Sequence, residues 1–339
     1  MRWMTRATLL LLLGLAMSAV AEAHAPGDPL RLVVVHSYNP DYIWVRHVNE
    51  GIREALRGLK AEVEFRYLDA KRKPDPADIE QAAREVLEDI ARTAPQVVIA
   101  VDDPAQQHVV VPHLKGKAAP QVIFCGVNAP LDLYGFPAAN VSGVRERWHF
   151  REGFALLKKI VPGLRSVAVL TDDSESSGYV LADLREDEHK NGPFALRLAG
   201  VRQPHTFQEW QREALALQKR ADSLALGLHH SLRDEATGKV VPPEKVSAWN
   251  IRNIHKPTLG FSDPARDHGQ LCGVLESGQE QGLIAGQMAR TVFERGVAAG
   301  GLPVRINQQG TILVNLKAAE RLGVIIPYEI ISAAGVVVQ

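Results

Sequence analysis

The sequence has only two cysteines in 339 residues, Cys125 and Cys272. So few exclude a disulfide scaffold and any multi-cysteine zinc or iron–sulfur site. Both lie in apolar, strand-like runs, where free buried thiols are the default reading and a disulfide is the alternative. An excess of charge of either sign is missing too, with 39 Lys and Arg against 39 Asp and Glu. That balance argues against a general nucleic-acid binder, which needs a basic face to neutralise phosphates. No G-x-S-x-G elbow, P-loop, G-x-G-x-x-G or H-E-x-x-H is present. His108 and His113 are spaced wrongly for two metal ligands on one helical face. Internal repeats and low-complexity tracts are lacking. These absences weigh against an enzyme, and they call for no cofactor and no metal.

Long apolar runs are also scarce. The one at Ala7 to Val20 follows Arg2 and Arg6 and precedes Ala21-Glu22-Ala23, a small-x-small cleavage site. This predicts a signal peptide over 1–23 and a mature chain beginning near His24. An uncleaved anchor is the alternative, but the run is shorter than the roughly 20 residues a spanning helix needs. No cysteine near the cleavage site could carry a lipid. The expected product is a soluble exported protein, periplasmic in a host with two membranes.

What is present is a strand–helix alternation. Short apolar runs predict strands over 30–36, 63–68, 96–101 and 121–127, and again over 166–170, 194–198, 223–228, 257–261, 271–275 and 311–314. Between them lie helical patterns, such as Val45, Val48, Ile52 and Leu56 with Arg46, Glu50 and Arg53 on the other face. Asp75-Pro76 reads as a helix start with a capping carboxylate. The polar stretch 229–241 reads as a surface loop, with His229-His230 a solvated pair. Such alternation predicts an α/β protein with parallel sheets and helices on both faces. The length suits two lobes, joined near 141–147.

Ligands of doubly wound sheets bind at the carboxyl ends of strands. In this chain those ends carry Ser37, Tyr38, Tyr42 and Trp44, then Asp102 and Asp103, then Asn128. Further along come Asp172, Asp173, Ser174 and Ser176, then His229 and His230, then Asp263. The set suits a cleft that stacks on a small solute and hydrogen-bonds to it. Asp103, Asp173 and Ser176 read equally well as caps of the following helices. Adjacent residues on a strand point to opposite faces, so Asp102 and Asp103 make a poor acid–base pair.

The chain resembles the ABC-transporter substrate-binding proteins of the tryptophan/tyrosine-binding type, which have the type I periplasmic binding protein fold. The resemblance rests most on Ile312-Leu313-Val314-Asn315-Leu316-Lys317-Ala318-Ala319-Glu320-Arg321-Leu322-Gly323 with Ile326-Pro327. Glu50-Gly51-Ile52-Arg53-Glu54-Ala55-Leu56, Asn140-Val141-Ser142-Gly143-Val144 and the Ser/Asp-rich loop 171–178 support it. It implies two doubly wound parallel-sheet lobes with an interlobe cleft, one formed by 30–143 plus 276–306, the other by 144–275 plus 307–339. It implies a monomer that closes on a small molecule, such as an aromatic or other amino acid, and docks on a membrane ABC permease. Tyr38 and Trp44 would form a stacking wall, Asp102 or Asp103 would pair an ammonium, and Ser37, Asn128, Asp173, Ser174, Ser176 and Asp263 would hold polar groups. The chain departs from many relatives in lacking a lipid-bearing cysteine and in having Asp103-Pro104 where a T-P turn is usual. Two alternatives remain. One is a ligand-sensing partner of a membrane sensor kinase. The other is an exported hydrolase using Asp102 or Asp173.

Overall fold

The structure, a computed structural model, describes residues 28–308 and 310–339, with the side chains of Asp263 and Pro264 left outside the description. The expected signal peptide lies outside the described residues. Among those described, no helix is long and apolar enough to cross a membrane.

The chain opens with β1 (Leu30–His36), α1 (Ile43–Ala55), β2 (Ala61–Tyr67), α2 (Pro76–Thr93), β3 (Val97–Val101), α3 (Asp102–Ala105), β4 (Gln121–Val127) and β5 (Val141–Arg145). It crosses to a second sheet through α4 (Phe150–Ile160), β6 (Ser166–Leu170), α5 (Glu175–Asn191), β7 (Arg197–Arg202), α6 (Phe207–Gln218), β8 (Ser223–Leu226), α7 (Pro243–Asn253), β9 (Thr258–Gly260) and β10 (Cys272–Leu275). It returns to the first sheet for α8 (Gly278–Arg295) and β11 (Arg305–Ile306). It then ends in the second with β12 (Thr311–Asn315), α9 (Leu316–Leu322), α10 (Tyr328–Ala333) and β13 (Val336–Val338). The sheets have the orders β11-β5-β4-β3-β1-β2 and β13-β12-β10-β9-β8-β6-β7. The class is therefore α/β, as the alternation predicts.

Apolar cores lie on both faces of each sheet, which is why β1, β3, β6 and β8 are nearly continuous apolar runs. The helix α1 buries Val45, Val48 and Ile52, each contributing about 2 kcal/mol by removal from water. It packs on α8 backbone to backbone. A Cβ at Gly51 would stand 2.0 Å from the Gln279 carbonyl oxygen, and one at Gly282 would stand 2.0 Å from that of Val48. Glycine is what lets these two helices touch.

Four local expectations change. The strand expected at 194–198 is Arg197–Arg202, because Phe194 and Leu196 are buried plugs under the sheet and β7 itself is a half-exposed edge. Asp75 makes no capping bond; its carboxylate lies 3.6 Å from Arg233 across the cleft. The strand β12 runs antiparallel to β10, since it enters from the first half of the molecule. The polar loop 229–241 begins inside the protein, with His229, His230 and Leu232 buried. Cys125 and Cys272 are free and buried.

Candidate functional site

The strand ends of the two sheets face one another, and the groups that meet there come from nearly every βα junction. After β1, the Ser37 hydroxyl donates to the Val101 carbonyl at 2.6 Å and accepts from the Ala105 amide at 2.9 Å, tying that loop to α3. The tie sets Tyr38 toward the second half, where its hydroxyl lies 3.3 Å from that of Ser176. Trp44, in the first turn of α1, donates its indole N–H to Asp102 Oδ1 at 3.0 Å. Asp102 holds a left-handed backbone, φ 66°, which turns its carboxylate inward. Tyr42 packs edge-on against both Tyr38 and His230, the second contact crossing the cleft.

These groups enclose a cavity of about 30 Å³, lined by Tyr38, Tyr42, Trp44, Lys71, Asp102, Asn128, Glu146, Trp148, Ser176, Leu228, Ser262 and Glu276. That is room for a water molecule or two, so the halves are closed on each other. A groove of about 1040 Å³ adjoins it and shares Tyr42 and Lys71. Its walls are the segment from Lys71 to Asp75, the loop from Arg233 to Pro242 and the start of α7. Besides Asp75 and Arg233, Gln107 donates to Glu175 across the cleft at 2.6 Å.

The electrostatics of the cavity are acidic. Burial and the neighbouring Glu146 push Asp102 well above the usual carboxylate range. Burial also raises Glu146, which hydrogen-bonds to Glu276, Trp148 and Asn128. Asp172 differs. Burial would raise it, but the charge of Lys71 and the donors Ser174 (2.6 Å) and Ser177 (2.7 Å) outweigh burial and hold it below its ordinary value. Burial lowers Lys71, against the pull of Asp172, Asp102 and Glu146. Behind them His229 and His230 stack, with His268 tilted against both and ring centroids 4.4 to 5.4 Å apart, all kept neutral mainly by burial. Among the described residues no cluster of His, Cys, Asp or Glu is placed to hold a metal ion.

Of the residues singled out from sequence, Tyr38, Trp44, Asp102, Asn128 and Ser176 line the cavity together. Ser37 supports the loop beneath them. Asp103 faces away from the cavity and fastens the turn after β4, accepting from the amides of Asn128 and Ala129 at 3.1 Å and the Tyr134 hydroxyl at 3.0 Å. Ser174 caps α5. Asp173 lies at the surface, 2.8 Å from His205 Nδ1. Asp263 opens a single 3₁₀ turn, and its side chain is outside the described ones. Sequence reasoning omitted Lys71, Glu146, Trp148, Leu228, Ser262 and Glu276 from the site. Lys71 sits in a basic run that looks solvated, while Glu146, Trp148 and Glu276 sit on the crossings between the sheets.

A family model described as ABC transporter substrate binding protein matches residues 45–338. A comparison with curated proteins finds no match. Among solved structures, the chain is similar to an ABC domain from Streptococcus pneumoniae in complex with L-Trp. They share 18% identity, with 92% of this chain and 100% of that one covered, and a TM-score of 0.69. It is similar to a ligand-free, open substrate-binding protein with adhesive properties from Clostridium difficile, with 17% identity, coverage of 91% and 99%, and a TM-score of 0.65. An arabinose-binding protein from Geobacillus stearothermophilus is also similar, with 12% identity, coverage of 86% and 99%, and a TM-score of 0.56. At these identities the likeness to the solved structures is one of fold.

Proposed function

Because the chain belongs to the ABC transporter substrate-binding protein family, we propose that its cargo is a small molecule bearing an amino group, such as an aromatic amino acid. The two lobes enclose this cargo outside the cytoplasmic membrane and hand it to a membrane permease. The observation that carries this reading is the composition of the closed cavity: Tyr38, Tyr42, Trp44 and Trp148 surround it, and four acidic side chains enter it or flank it against a single lysine. Aromatic faces and carboxylates recognise an ammonium jointly, whereas a neutral sugar uses carboxylates as hydroxyl acceptors but brings no charge to offset their surplus. Binding is closure of one lobe on the other, with Asn128, Ser176 and Ser262 orienting the polar parts of the ligand. One chain supplies every lining group, so a monomer suffices, and no group is assigned a catalytic step.

Thermal unfolding against amino acids, amines and sugars tests the reading. A ligand at about 1,000 times its dissociation constant stabilises by roughly 4 kcal/mol, a shift of several degrees. Amino-bearing compounds should raise the midpoint and arabinose should not. A shift with sugars and none with amines would overturn the assignment.

A further inference from the structure

An acidic, aromatic cleft built for an ammonium already contains one. The Lys71 nitrogen lies 4.2 Å from the centroid of the Tyr38 ring and 5.3 Å from that of Tyr42. Those faces are the ones a ligand cation would use. The negative groups acting on Lys71 come from both halves of the molecule: Asp102 from the first, Asp172 from the second and Glu146 from the crossing between them. Among the described residues none of these carboxylates lies within ion-pair distance of the nitrogen, so Lys71 balances the set without committing to any member. Asp102 is 4% exposed. Its Oδ1 takes the Trp44 indole, while its Oδ2 has no hydrogen-bond partner. An acceptor is thus left open beside the cavity.

We propose that Lys71 is a built-in stand-in for the ammonium of the ligand. It neutralises the cleft in the empty protein, so that the lobes close without cargo, and an amine-bearing ligand displaces it from Tyr38. This rests on the amine reading given above and adds a competition to it. The geometry allows the exchange. Asp69 accepts both the Arg72 and Lys73 amides and also takes the Arg72 guanidinium at 2.8 and 2.9 Å, so the backbone beside Lys71 is fixed. The Lys71 side chain can therefore leave without its backbone, and the lobes part further to admit the ligand, since the cavity itself holds only a water molecule or two. Lys71 borders the large groove as well as the small cavity, so its flexible stem has somewhere to swing. The apparent affinity for an amine is then reduced by the fraction of molecules in which Lys71 holds the site.

Lys71→Met keeps the stem and removes the charge. The first readout needs no ligand: solution X-ray scattering of the empty proteins. The variant should show a larger radius of gyration than wild type, because uncompensated acids from the two halves repel, and Lys71→Met combined with Asp102→Asn should close again. An unchanged radius in a folded Lys71→Met overturns the proposal. The second readout is calorimetric titration with tyramine and with 3-(4-hydroxyphenyl)propionate, which differ in the sign of their charge. Tyramine should bind Lys71→Met about tenfold or more tighter than wild type. Equal tyramine affinity in both forms overturns the stand-in role and leaves the amine reading standing. Tyramine binding to neither, with the propionate binding wild type and lost in the variant, overturns both and makes Lys71 an anion-holding residue. Lys71→Arg, which keeps the charge, should retain the wild-type radius; an open Lys71→Arg would overturn the charge-balance argument.

Discussion

Lowering the pH should destabilise the first lobe through His36, by an amount the structure sets. This imidazole ends β1, fully buried. It stacks on Tyr67 with centroids 5.5 Å apart and planes 12° from parallel. Its Nε2 lies 2.8 Å from Asn49 Oδ1 and so donates to it. Its Nδ1 has no partner, so a second proton there would place a charged donor in the core with nothing to accept it. Burial accordingly lowers the pKa to about 4, with the Asn49 bond opposing. In the unfolded chain the value is about 6.5. Between those values the unfolded chain binds more protons, so this contribution is intact above about pH 6.5 and is lost as pH falls toward about 4. The full loss is about 3 kcal/mol, of which about 2 kcal/mol falls between roughly pH 7.5 and 5. Urea unfolding of wild type and His36→Gln at those two pH values measures it. The variant costs stability at both. Lacking the titration, it should lose less on acidification, so the gap between the proteins should narrow by about 2 kcal/mol. A gap that stays constant would refute the reasoning.

Two further predictions concern the packing beneath the site. Gly282→Ala should destabilise by about 1–3 kcal/mol, because its Cβ meets the Val48 carbonyl and must push α1 from α8. Gly163→Ala, whose Cβ meets nothing within 4 Å, should stay within about 0.5 kcal/mol in the same melts, and comparable losses in the two would show that the helix contact is looser than described. Asp103→Ala leaves the buried Asn128 and Ala129 amides and the Tyr134 hydroxyl without their acceptor. A loss of about 3 kcal/mol in urea unfolding is expected, and a neutral result would contradict its role as the fastener of the turn after β4.

Strands that are buried on both faces could be read directly, because such a strand cannot alternate. Leu30 to His36 and Ser166 to Leu170 are recognisable from composition alone. The edge strand β7 was displaced in the sequence reading because half of it faces water and its apolar density falls below that of the plugs preceding it. At the site, Tyr38, Trp44, Asp102, Asn128 and Ser176 were legible because strand ends are where such folds place their ligands. Lys71 was not. The run Lys71-Arg72-Lys73-Pro74 looks like solvated loop until the second lobe covers its first member. Asp172 and Asp173 are neighbours of one type. Only the donors Ser174, Ser177 and Ser231, two of them distant in sequence or on another turn, turn the first inward and leave the second to His205.

The first sheet is begun early and finished late. Its central strands β1, β3 and β4 lie within the first 127 residues, yet β11 ends at Ile306 and α8, which covers α1, ends at Arg295. During synthesis the apolar stripe of Val45, Val48 and Ile52 therefore has only the first-sheet part of its native cover until most of the chain has been made. Neither lobe is a continuous stretch of polypeptide. A truncation after Leu275 would thus leave five strands of each sheet, taking β12 and β13 from the second and, from the first, β11 and the helix that covers α1. A ribosome-bound nascent chain of that length should leave α1 open to protease, with protection of α1 arriving only once α8 has been made.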